Sequence, residues 1–124
     1  MRSIMRTVVG ALTAAALLFA AAPIAEAGSG NYTFPNTCNI YWQNSWGGGQ
    51  GSAYTYENAN CSDLKVQMYA DPSGGGQNWQ WFTVGYLAQS QVYVAIYVDQ
   101  KPGTSRHYGK NTSGGTGYYI ERAF

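Results

Sequence analysis

The chain has 124 residues, with seven Lys and Arg against six Asp and Glu, a formal net charge of +1 and one His. That length suits one domain and is too short for two. The near-neutral balance argues against a nucleic-acid or anionic-membrane partner, and one histidine with two cysteines makes no zinc-type ligand set.

The first 27 residues read as a cleavable signal peptide. Arg2 and Arg6 give a positive start, residues 8–22 form an uncharged apolar run, and Ala25-Glu26-Ala27 supplies the small-x-small pattern before the cut. The run is shorter than the ~20 residues that span a bilayer. The expected product is a secreted, extracellular protein of bacterial type, residues 28–124, with no membrane attachment after cleavage. Lys65, Lys101, Arg106, Lys110 and Arg122 there balance Glu57, Asp63, Asp71, Asp99 and Glu121. The surplus positive charge therefore belongs to the leader. Export also makes a Cys38–Cys61 disulfide the default pairing.

Beyond the leader the pattern has period two. Leu64, Val66, Met68 and Ala70 alternate with Lys65, Gln67 and Tyr69, and Val92, Val94, Ile96 and Val98 alternate with Tyr93, Ala95, Tyr97 and Asp99. Residues 64–70 and 92–98 therefore read as half-buried strands. Segments 40–44, 53–58, 78–86 and 117–123, rich in aromatic and β-branched residues, read as four more. Glycine-rich turns separate them, and the tetrad Gly-Gly-Gly-Gln occurs at 47–50 and again at 74–77, suggesting two similar hairpin loops. The expected fold is all-β, a small antiparallel sandwich or barrel of about six strands. The disulfide would staple the first hairpin, whose tip carries Trp46.

Aromatic residues are abundant where charge is scarce: four Trp, eleven Tyr and four Phe. If the aliphatic positions face inward, Tyr69, Tyr93 and Tyr97 face outward on their strands. Trp79 and Trp81 share a face opposite Phe82 and Val84. These five form a candidate outer aromatic strip. Exposed rings in a soluble protein mark interaction sites, and flat rings with few charges suit a glycan. The alternative is that they form a second core layer or cross-strand pairs that stabilise the sheet. Trp46, beside three glycines, reads either as a second candidate anchor on a flexible loop or as a ring folded back over the open end of the sandwich. His107 lies in Arg106-His107-Tyr108-Gly109-Lys110, which reads as a solvated basic hairpin. No motif supports it as a general base with Ser105 or Asp99. The sequence carries no phosphate-binding loop, dinucleotide fingerprint, metalloprotease motif or calcium loop.

The segment from Cys38 to Tyr69 resembles the first half of the small secreted α-amylase inhibitors of actinobacteria, the tendamistat type. The shared points are the early Cys38, Tyr41, Gln43 with Ser45-Trp46, Tyr54-Thr55, and Asn60-Cys61 leading into an alternating strand. The resemblance implies a six-stranded sandwich with this hairpin disulfide. The inhibitory Trp-Arg-Tyr triplet of that family is absent, since Gly47-Gly48 follow Trp46, and so is its second disulfide. The leading expectation is a non-catalytic protein that needs no cofactor or metal. It would bind a glycan or cell-surface polymer through exposed aromatics. The alternative is a secreted inhibitor or antagonist of an extracellular hydrolase, acting through the Trp46 loop on a secreted protein partner. An enzyme ranks third.

Overall fold

Period-two patterning produces strands wherever apolar residues take one face. In the computed structural model, which describes residues 26–87, 90–111 and 115–124, the chain is all-β. The expected leader lies outside the described residues except for Glu26 and Ala27, which open the first strand. The strands are β1 (Glu26–Thr33), β2 (Asn39–Gly47), β3 (Gln50–Ala59), β4 (Asp63–Ala70), β5 (Gln80–Leu87), β6 (Gln91–Tyr97), β7 (Thr104–Lys110) and β8 (Tyr118–Ala123). They form two antiparallel four-stranded sheets in a sandwich-like arrangement. Sheet I has the order β1-β2-β3-β6 and sheet II the order β5-β4-β7-β8.

Six of these strands match the sequence reading, and β1 and β7 are additional. Both are poor in β-formers. β1 is held by its partner: Gly28 and Gly30 lie against the Trp42 ring, so closely that a Cβ on either would sit 3.2 Å from an indole atom. β7 alternates Arg106, Tyr108 and Lys110 with Ser105, His107 and Gly109. Charged residues take the wet face, so the three small or neutral ones enter the core.

The inner faces meet over Ile40, Ala53, Leu64, Val66, Met68, Ala70, Val92, Val94 and Ile120, with Trp42, Trp46, Phe82 and Val84 packed around them. The Cys38–Cys61 disulfide forms as expected. It closes the open end of the β2–β3 hairpin and should stabilise the fold by roughly 3 kcal/mol through the unfolded chain. It also reaches the opposite sheet, because Gly109 of β7 lies directly beneath Cys38 Sγ.

The two Gly-Gly-Gly-Gln segments are not alike. Gly48 and Gly49 both have positive φ, 60° and 77°, and link the paired Gly47 and Gln50 in a two-residue hairpin turn. Two successive left-handed residues are the signature of a type I′ turn. The second tetrad lies inside a longer loop between β4 and β5, where Gly74, Gly76 and Gln77 are left-handed.

Candidate functional site

The five strip residues do point outward, but they divide between opposite faces of the sandwich. Tyr69 and Trp81 belong to sheet II, with Trp79 in the loop just before β5, and Tyr93 and Tyr97 belong to sheet I. The sequence reading fixed each residue's orientation within its own strand and had no information on which sheet held that strand.

On sheet II, Tyr69 of β4 is paired directly with Trp81 of β5. The ring centroids are 5.1 Å apart with the planes tilted by 46°, and Trp79 stacks on Tyr69 at 5.5 Å with an interplanar angle of 27°. Trp79 is placed by the loop before it: buried Asp71 accepts the Asn78 backbone N–H at 2.8 Å and a Gln100 side-chain N–H at 2.9 Å. Trp81 is 37% exposed. The Arg106 guanidinium of β7 lies 4.2 Å from its ring centroid and 5.2 Å from that of Tyr119. Arg106 is itself fixed by an ion pair to Glu121 at 2.6 Å. Tyr119 continues the array to Tyr108 at 4.8 Å. Rings and one guanidinium thus run across all four strands.

Hydrogen-bonding groups lie along the array. Tyr108 donates its hydroxyl to Gln67 Oε1 at 2.8 Å, and Gln67 Nε2 donates to Thr83 Oγ1 at 2.9 Å. This face therefore combines flat apolar rings with fixed polar groups, as recognition of a ring-bearing polar ligand requires.

Sheet I presents a different outer surface. Tyr54 is at its centre, with neighbours Tyr41, Tyr56 and Tyr93 at centroid distances of 5.0–6.3 Å. Tyr54 donates to Gln43 Oε1. Burial, reinforced by the neighbouring tyrosines, pushes its hydroxyl pKa far above the ordinary phenol value. Tyr97 stands at the edge, 70% exposed. Gln43, Ser45 and Ser52 fill the spaces between rings, with Ser45 and Ser52 hydrogen-bonded at 2.8 Å. Among the described residues of β2, β3 and β6, no charged side chain faces outward beside this cluster.

Two sequence expectations are corrected. Trp46 is not on a flexible loop. It is the penultimate residue of β2, on the inward side with Ile40, Trp42 and Asn44, and it packs partly buried against the core. The turn beyond it is too tight to carry it outward.

His107 is not solvated. It is wholly buried, its ring 5.7 Å from that of Trp42. Ser105 Oγ is 2.8 Å from Nε2, and Thr55 Oγ1 is 3.0 Å from Nδ1. Asn44 Nδ2 donates to Ser105 Oγ at 3.1 Å and to the Ala123 carbonyl at 3.2 Å, while Thr55 donates to the Lys65 carbonyl at 3.3 Å. These bonds run head to tail for a neutral imidazole that donates from Nδ1 and accepts at Nε2. The direction follows from the network. Burial lowers the His107 pKa to about 4, opposed by a hydrogen bond to the Tyr54 backbone and reinforced by Arg122. The Ser105–His107 spacing is that of a nucleophile and its base. Both groups are sealed between the sheets, however, and the second ring nitrogen meets a threonine instead of a carboxylate. The pair ties β2 and β3 to β7 and β8.

The sequence reading missed this network, though the alternation in β7 carried the signal. Among the described residues, no three His, Cys, Asp or Glu side chains group to hold a metal, and no helix is long and apolar enough to cross a membrane. Comparison with family models, with curated proteins and with solved structures finds no match.

Proposed function

We propose that the protein is a secreted, non-catalytic recognition domain that binds polysaccharide on the outer face of sheet II. The observation that carries this reading is the Trp79–Tyr69–Trp81 platform. Three contacting rings, one pair stacked and one tilted, are pinned by strand pairing and by the Asp71 loop and offer apolar area at little ordering cost. Gln67 and Thr83 lie beside them to hydrogen-bond hydroxyls. The disulfide supports an extracellular setting. A hydrolase-inhibitor role through Trp46 has less support, because that ring is committed to the core.

The test is retention on insoluble polysaccharides. Wild-type protein is expected to be retained and a Trp79→Ala/Trp81→Ala variant to elute at least tenfold more readily, on the loss of roughly 1–2 kcal/mol per anchor ring. Thermal denaturation checks that the variant is folded. Flow-through of wild type on every polymer tried, or equal retention of a folded variant, would overturn the reading.

A further inference from the structure

The aromatic platform occupies one end of the sheet II face, and an open groove of about 460 Å³ occupies the other. Lys65, Lys110, Tyr108, Gly85, Gly117 and Asp63 line it. The two lysine stems are seated on glycines. A Cβ on Gly85 would lie 3.0–3.2 Å from the Lys65 stem, and one on Gly117 would lie 3.3 Å from the Lys110 stem. The Lys65 ammonium is held 4.4 Å from the centroid of the Tyr108 ring. Asp63 is buried and has contacts of its own, and Arg106 and Glu121 neutralise one another further along the face. Two lysines therefore line the groove with one buried carboxylate, and the groove is positive on a nearly neutral domain.

Platform and groove are joined by one strand. Tyr69, Gln67 and Lys65 succeed one another on the outer face of β4, giving a ring, an amide and a cation over about 13 Å at the usual strand rise. We infer that the ligand is an acidic polysaccharide of the polyuronate class, with sugar rings on Trp79, Tyr69 and Trp81 and a carboxylate in the Lys65–Lys110 groove. This rests on the platform reading and adds the charge of the ligand to it. A ring-bearing polyanion could also be single-stranded nucleic acid, which uses stacking and cations together. The neutral whole and the disulfide favour the polysaccharide.

The experiment compares polygalacturonate, its fully methyl-esterified form and oligothymidylate as ligands for wild type, Lys65→Gln/Lys110→Gln and Trp79→Ala/Trp81→Ala. Wild type should bind polygalacturonate about tenfold more tightly than the uncharged ester, since two partly exposed charge contacts contribute up to about one decade together. Raised salt should abolish that preference. The lysine variant should bind both polymers as wild type binds the ester, and the tryptophan variant should lose both. Equal wild-type affinity for the two polymers, a preference that survives in the lysine variant, or tighter binding of oligothymidylate overturns the inference. In the first two cases, loss of binding in the tryptophan variant leaves the platform reading standing. A tryptophan variant that binds like wild type overturns the platform reading, whatever the lysines do.

Discussion

His107 is neutral inside the sandwich, and acid should reveal it. In the unfolded chain its imidazole takes up a proton near pH 6.5, whereas in the fold it resists until about pH 4. As pH falls through that window the unfolded state gains a proton that the native state refuses, and stability falls with it. Two to three pH units at 1.36 kcal/mol each amount to roughly 3 kcal/mol. That loss is absent above pH 6.5 and complete below pH 4. It is a large fraction of the stability of a domain this size. Urea denaturation of wild type and His107→Gln at several pH values between 7 and 4 separates this effect from carboxylate titration, which both proteins share. The glutamine amide can still accept from Ser105 and donate to Thr55. The wild-type stability should converge on that of the variant as pH falls, with the two profiles differing by roughly 3 kcal/mol in their net change. The chain has a single histidine, so its ring resonances also report the native pKa directly by NMR, without any variant. Parallel stability profiles, or an imidazole titrating near 6.5 in the folded protein, would refute the reasoning.

Two further outcomes follow from the packing. Gly109→Ala should be destabilising by about 1–3 kcal/mol in chemical denaturation, because its added methyl carbon would lie 2.4 Å from Cys38 Sγ and 3.2 Å from the Phe34 ring. A neutral effect would mean that the disulfide does not press on sheet II. Spectrophotometric titration should show one tyrosine still protonated where ordinary phenols have ionised, and this fraction should be missing from Tyr54→Phe. An unchanged titration in the variant would place the resistant hydroxyl elsewhere.

Much of the fold was legible because two-residue alternation reports which face of a strand is buried. Residues 64–70 and 92–98 matched their strands almost to the residue, and the pairing of Cys38 with Cys61 followed from compartment and count. β1 was not legible, since a strand built on Gly28 and Gly30 is specified by the indole it covers and carries no pattern of its own. β7 was misread for a related reason. Its inward residues are Ser105, His107 and Gly109, which look like a turn until Asn44 and Thr55 are placed opposite. The aromatic strip was half legible. Alternation correctly turned Tyr69, Trp81, Tyr93 and Tyr97 outward, but sheet membership is set by crossings between layers, which leave no local signal. The loop reading of Trp46 failed on turn chemistry: the tight corner made by two adjacent left-handed glycines starts only after Gly47, so Trp46 stays within β2 with its ring toward the core.

The sandwich is asymmetric in charge although its total is near zero. Lys65 and Lys110 project from sheet II, where Arg106 and Glu121 neutralise one another, while the opposite surface around Tyr54 is phenol, amide and hydroxyl. A domain that settles on an acidic polymer through sheet II is thereby oriented. Its cations are spent against the support, and the layer turned toward the medium is an uncharged sheet of tyrosines. A polymer coated in this way would exchange a negative exterior for a neutral, phenolic one, so the first change a neighbouring cell or enzyme met would be in the charge and wetting of the surface.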